Sequence, residues 1–189
     1  SLEMLKKLDH KGRLYATDVD PIELPKTKDR LAKLGYGSDD LITFPLNFSN
    51  IDKVVSESGP LDFVLADLGV SSMQIDNPDR GFSFKIEGPL DLRLNPNVGI
   101  SAAERLKTIT KEELEGMLIE NSDEPYAEII AKAIVAHIKK GKPLNTTTQL
   151  RKIIEESLAF LPTKTRDFDI KKSCQRSFQI GRASCRERV

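Results

Sequence analysis

Apolar positions in the first third of the chain come in short runs, each closed by glycine, proline or an acid. Leu2 to Leu8 has helical spacing. Gly12 to Asp18 reads as a short buried strand that ends in an acid. Leu24, Leu31 and Leu34 share a helical face, with Pro25 interrupting its start, so the helix is predicted to begin near Lys26. Gly35 and Gly37 stop it. Leu41 to Phe44 is a second strand and leads to Asn47 and Phe48. Asn50 or Ser49 can cap a short helix through Val54 and Val55. After the Gly59-Pro60 turn, Leu61 to Ala66 is the most apolar run, as expected at the centre of a sheet. Strands alternating with helices predict a parallel sheet with right-handed connections.

Beyond Gly99 the pattern is helical throughout. Ser101 to Lys107 is short. Thr110 and Glu113 form a capping-box pair ahead of a helix to about Glu120. Ser122 or Asp123 caps a helix over 124–140 with an apolar face at Ala127, Ile130, Ala131, Ile134 and Ile138. Gly141 and Pro143 end it. Thr146 or Thr147 opens a helix through Leu150, Ile153, Ile154, Leu158 and Phe160, and Pro162 follows. There is no internal repeat and no low-complexity run. Strands followed by a series of helices predict a nucleotide-binding sheet with a helical subdomain attached.

Composition adds a core-sized apolar share of 39% and a charged share of 31%, which suits a soluble protein. No apolar run approaches the ~20 residues that span a bilayer. Charge is zero in total but uneven. Residues 1–123 hold 15 Lys and Arg against 22 Asp and Glu, whereas residues 124–179 hold 11 against 6. A basic segment joined to an acidic one suits a phosphate-rich partner. Cys174 and Cys185 are the two cysteines. Cys185 lies in the last ten residues, Ile180 to Val189, which are expected to be foreign, so Cys174 stands alone and a reducing cytoplasm fits. Lys171 and Lys172 beside it can lower a thiol pKa, although a spare thiol is the plainer reading. His10 and His137 are isolated, and no spacing of Cys, His and Asp suggests a metal.

The densest chemistry lies in three blocks: Asp67-Leu68-Gly69-Val70-Ser71-Ser72-Met73-Gln74, then Arg80-Gly81-Phe82-Ser83-Phe84, then Gly88-Pro89-Leu90-Asp91-Leu92-Arg93-Leu94. They follow an apolar run, and open α/β sheets bind ligands outside the carboxyl ends of their strands. With Thr17-Asp18-Val19-Asp20-Pro21 and Arg176-Ser177-Phe178-Gln179, these blocks closely resemble the MraW/RsmH family of bacterial 16S rRNA cytosine-N4 methyltransferases. The resemblance covers Gly12 to Gln179. It implies a class I (Rossmann-like) fold that binds S-adenosylmethionine, with an all-helical subdomain inserted, acting on 16S rRNA of the small ribosomal subunit in its decoding region.

On that basis 1–99 is expected to form a partial cofactor-binding α/β domain and 100–175 the helical insert, a candidate rRNA-recognition domain. Residues 176–179 would begin the return to the first domain. The family's Gly-x-Gly-Gly-His loop has no counterpart ahead of Leu2, so the resemblance implies little activity for the chain alone. Ile180 to Val189 matches the translation of a sequencing-library adapter and is expected to be foreign.

Each candidate residue carries a chemical reading beside a plainer one. Asp18 at a strand end can accept hydrogen bonds from both ribose hydroxyls or cap the helix after Pro21, and the resemblance assigns the cofactor role to Asp18 rather than Asp20. Phe48 can pack on an adenine face or in the core. Asp67 can accept the N4 hydrogens of cytosine and localise the amine lone pair during methyl transfer, a reaction that is mostly positioning and electrostatics. This chain has no Asn-Pro-Pro-Tyr-type motif at that place. The resemblance maps cofactor contacts onto Asp67 and Gln74, with Met73 where many members have Pro and Asn95 where Asp is common. Arg80 and Arg93 can bind phosphate or the target nucleotide, or pair with Asp76, Asp79 and Asp91. Phe82 and Phe84 can stack a flipped base or anchor a long loop. Two other classes share some of these features: a dinucleotide oxidoreductase using NAD, through the strand-end acid, and a non-catalytic RNA-binding module on 124–179.

Overall fold

In the computed structural model of the chain, residues 1–180 are described. They divide into two compact units, Ser1–Gly69 and a second beginning at Val70. The division falls upstream of the boundary expected at Gly99, because Leu90 and Leu92 bury their side chains among the helices of the second unit. No helix among the described residues is long and apolar enough to cross a membrane.

The first unit contains α1 (Leu2–Leu8), β1 (Leu14–Thr17), α2 (Glu23–Ala32), β2 (Leu41–Phe44) and α3 (Ile51–Ser58). β1 and β2 pair in parallel with Leu14 opposite Leu41 and Thr17 opposite Phe44. Leu5, Leu31 and Leu41 form a small core. Helix α2 starts at Glu23, ahead of the expected start near Lys26. Pro25 does not block it, because it lies in the first turn, where a missing N–H leaves no hydrogen bond unmade. His10, isolated in the sequence, bonds the Asp40 carboxylate through Nδ1 at 2.7 Å and stacks on Tyr36.

The expected central strand Leu61–Ala66 does not form. Among the described residues the sheet has two strands, and this run joins neither. Phe63, Val64 and Leu65 are 72%, 63% and 62% exposed. Apolar side chains suit a run for burial, but a strand exists only through a neighbouring backbone.

The second unit is α4 (Ser72–Asp76), α5 (Ala102–Thr108), α6 (Lys111–Ser122), α7 (Ala127–Lys139), α8 (Thr147–Ser157) and α9 (Arg166–Ser177). The capping box expected at Thr110 is present: Glu113 N–H donates to Thr110 Oγ1 and Thr110 N–H to Glu113 Oε2, both at 3.1 Å. Thr146 and Gln149 make a second one on α8. Ile130, Ala131 and Ile134 of α7 are fully buried with Leu114 of α6 and Leu150 and Ile154 of α8. Burying each large side chain contributes about 2 kcal/mol. Phe160, expected on the apolar face of α8, is instead exposed and edge-on to Tyr126. Helix α9 was not expected. Its buried face is Ser173, Cys174 and Ser177, too polar to register as an apolar stripe.

Ile180, the first residue of the tail read as foreign, is buried in the helical core; residues 181–189 lie outside the described residues. Ile180→Ala therefore lowers stability by about 2 kcal/mol, a melting shift on the order of 5 °C. A shift below 1 °C by calorimetry would show that this side chain is not packed.

Candidate active site

The first unit brings Asp18 and Phe48 to one end of its sheet. β1 and β2 leave the sheet together, since Thr17 lies opposite Phe44 and Asp18 N–H donates to the Phe44 carbonyl at 3.2 Å. Asp18 is exposed there, with its Oδ1 accepting the Asp20 N–H at 2.9 Å. Asp20 is fully buried and serves the turn into α2, where its Oδ1 accepts N–H bonds from Ile22 at 2.9 Å and Glu23 at 3.2 Å. The local roles of the two acids are thus divided: Asp20 holds the turn, and Asp18 faces outward. Phe48 opens a single 3-10 turn after β2 and is 60% exposed. An acid and an open aromatic face at the carboxyl ends of adjacent parallel strands match what a nucleoside requires: acceptors for ribose hydroxyls and a surface for the base. Asp67 is exposed within the same unit, on the unpaired stretch that follows Leu61–Ala66.

Gln74 belongs to the second unit, and its side chain has a local duty. Its Oε1 accepts the Ser71 N–H at 2.8 Å, while its own N–H donates to Ser71 Oγ at 3.3 Å, a complete capping box on α4. The residue is 4% exposed. The Ser-x-x-Gln spacing that signals this cap stands in the sequence and went unread there.

The 77–94 loop is a closed structure stapled to α8. Asn77 caps a 3-10 turn over Pro78–Arg80. Arg80 is buried. It donates to the carbonyls of Leu94 at 2.8 Å and Arg93 at 3.3 Å, and its guanidinium lies 5.6 Å from the centre of the Phe82 ring. Arg93 grips Asp91 with two bonds of 2.7 Å and donates to the Gly99 carbonyl at 3.0 Å. Partial burial raises the Asp91 pKa, but the hydrogen bonds and charge of Arg93 outweigh it and hold the carboxyl below its ordinary value. Phe82 and Phe84 pack half-buried against the helical core, with Phe84 edge-on to Phe178 at 5.7 Å. Thr147 closes the ring: its Oγ1 donates to the Ile86 carbonyl at 2.8 Å and accepts the Gly88 N–H at 3.1 Å. Every side chain expected to touch a nucleotide here also holds the loop together, and sequence spacing does not distinguish those two uses.

Cys174 is buried on α9, where burial first and the Glu155 carboxylate second push its thiol up to about 12, against an opposing effect from Arg151. The lowering that Lys171 and Lys172 suggested is therefore reversed. A folded-state value above the ordinary 9.0 means that the thiol's contribution to stability is present below pH 9 and lost as pH rises from about 9 towards 12. Cys174 should react slowly with a thiol reagent at pH 8 in native protein and rapidly after unfolding. Equal rates in both states would contradict this environment. Among the described residues, no group of three His, Cys, Asp or Glu is placed to hold a metal ion.

Comparison with known proteins places the chain in a family. The family model described as "MraW methylase family" matches residues 1–183. The chain is 66% identical over 179 residues to "Ribosomal RNA small subunit methyltransferase H 2" of Alkaliphilus metalliredigens, an alignment covering 95% of this chain and 51% of that protein. It is 64% identical over 176 residues to "Ribosomal RNA small subunit methyltransferase H 1" of Agathobacter rectalis, with 93% and 50% covered. It is 51% identical over 179 residues to the "H 2" protein of Acholeplasma laidlawii, with 95% and 52% covered. The chain thus spans about half the length of these relatives. With one family model matched along almost its whole length and identities this high, the chain belongs to the MraW methylase family.

Proposed function

We propose that a protein of the relatives' full length carrying this chain transfers a methyl group from S-adenosylmethionine to N4 of a cytosine in 16S rRNA of the small ribosomal subunit, in a bacterial cytoplasm. The observation that carries this is 66% identity, over 95% of the chain, to a protein named as a small-subunit rRNA methyltransferase. The strand-end pair Asp18 and Phe48 supports the cofactor class.

In this reading the sheet is the Rossmann-like one of class I methyltransferases, and the apolar run Leu61–Ala66 pairs within it in the full-length protein. Helices between Ile100 and Gln175 form the inserted subdomain. Asp18 accepts hydrogen bonds from the ribose of the cofactor, Phe48 packs on its adenine, and Gln74 shapes the adjoining loop through the α4 cap. When bound, the cofactor supplies an electrophilic methyl on a sulfonium. Asp67 accepts hydrogen bonds from the exocyclic amine, which returns the nitrogen lone pair from the ring to the attacking atom. Within the second unit, Arg80, Phe82, Phe84 and Arg93 hold the 77–94 loop in one shape, and these side chains are the candidates for contact with the RNA.

The test is transfer of a labelled methyl to small-subunit rRNA by the full-length protein, with digestion to nucleosides to locate the label. Label on cytosine N4 supports the proposal. Label on another base or on ribose, or no transfer to free rRNA or to assembled subunits, overturns it.

A further inference from the structure

Three threonines in a row, Thr146, Thr147 and Thr148, stand at the start of α8, and the Oγ1 of each is hydrogen-bonded. Thr146 serves its own helix by accepting the Gln149 N–H at 3.3 Å. The other two grip a segment 59 to 61 residues away in the chain. Thr147 Oγ1 donates to the Ile86 carbonyl and accepts the Gly88 N–H, and Thr148 Oγ1 donates to Glu87 Oε2 at 2.8 Å. Two backbone bonds run beside them: Thr147 N–H to the Gly88 carbonyl at 3.0 Å, and Leu90 N–H to the Asn145 carbonyl at 2.8 Å. Thr147 is the fully buried member of the three. The first N–H groups of a helix have no partner within it. Thr147 opens α8, so its N–H is one of these, and residue 88 supplies the acceptor. In return its hydroxyl satisfies the Gly88 N–H. Gly88 has no side chain with which to fix its own turn, and the Pro78 carbonyl closes the place where one would start. The grip on this turn therefore comes from α8.

We propose that Thr147 is a positioning residue for the RNA substrate. It latches the 77–94 loop to α8, so that Arg80, Phe82, Phe84 and Arg93 are ordered before the RNA arrives. The inference rests on the RNA-substrate reading above and gives a role to a residue that touches none of the reacting groups. A loop ordered in advance adds no entropy cost to binding, whereas a freed loop shifts that cost to the binding step. The effect belongs to the ground-state complex, because the loop is ordered again once RNA is bound. Valine fills the space of threonine but can neither donate nor accept, so Thr147→Val removes both side-chain bonds at once. Serine keeps the hydroxyl and both bonds.

Steady-state methylation of small-subunit rRNA by a protein of the relatives' full length tests this. Thr147→Val should raise the KM for rRNA at least ~10-fold, the scale of one or two lost hydrogen bonds. The KM for S-adenosylmethionine should stay within about twofold and kcat within about threefold. Thr147→Ser should restore the wild-type KM for rRNA. Ile154→Val, buried in the same helix, leaves every threonine hydroxyl in place and serves as the control for lost stability. It should lower the melting temperature and leave all three constants alone. A KM for rRNA unchanged in Thr147→Val overturns the proposal, as does an equal rise in Ile154→Val. If Thr147→Val does not fold, amide exchange in the wild-type 189-residue chain decides. The Gly88 and Thr147 N–H groups should be protected at least ~100-fold relative to an unfolded chain, and exchange at the unfolded rate overturns the latch. A wild-type protein that transfers no methyl to rRNA refutes the methyl-transfer reading instead, and the exchange measurement then decides the latch by itself.

Discussion

Asp67→Ala, introduced into a protein of the relatives' full length, is expected to slow methyl transfer about a hundredfold, roughly the 3 kcal/mol carried by one preorganised group at the reacting atoms. The melting temperature should barely move. Asp67 is exposed in the first unit, so its removal leaves neither a cavity nor an orphaned partner. Asp18→Ala should differ in kind. Ribose contacts are alike in the ground and transition states, so the apparent KM for S-adenosylmethionine rises while the saturated rate stays near wild type. Single-turnover methylation of small-subunit rRNA at saturating cofactor separates the two. An Asp67→Ala enzyme that stays folded and within about threefold of wild type would remove this residue from the chemistry.

Gly81→Ala is expected to be the most damaging small substitution in the second unit. Gly81 has φ of 72°, and a Cβ there would overlap the Pro89 carbonyl oxygen, a backbone atom that cannot swing aside. Overpacking of this kind costs ~1–3 kcal/mol, and the left-handed backbone adds ~1–2 kcal/mol for a residue with a Cβ. A loss of about 3 kcal/mol is the expected result in urea unfolding. Gly88→Ala should behave similarly, because its Cβ would meet the Pro78 carbonyl oxygen from the other side of the same clasp. Unfolding midpoints within error of wild type for both variants would show that the 77–94 loop opens freely, and the support given to it by Arg80 and Arg93 would then have no purpose.

These outcomes depend on features with different origins. Local rules were sufficient for most elements. α6 stands where apolar period and the Thr110–Glu113 box placed it, because a helix is decided by contacts a few residues apart; β1 and β2 stand where their apolar runs and turn residues placed them, and each is completed by the other. The chain's order of strands and then helices likewise foretold parallel pairing near the start and helices after residue 99. The positions of Asp18 and Phe48 just past the strands were legible too, since a strand's end is a local landmark.

Only the tertiary structure decided the rest. Leu61–Ala66 has ideal strand composition and no ladder, since pairing needs a partner backbone that composition does not specify. Helix α9 packs through two serines and a cysteine, so its inner face became apparent only against the residues that cover it. The sequence around Arg80 suits a phosphate contact equally well; the fold brought the carbonyls of residues 93 and 94 to it. Thr147 reaches across the chain to Gly88 and Ile86 for a similar reason. Period and spacing record how a residue relates to its neighbours in the chain. A buried polar side chain takes its role from whichever distant backbone arrives beside it, and that is settled by packing the whole unit.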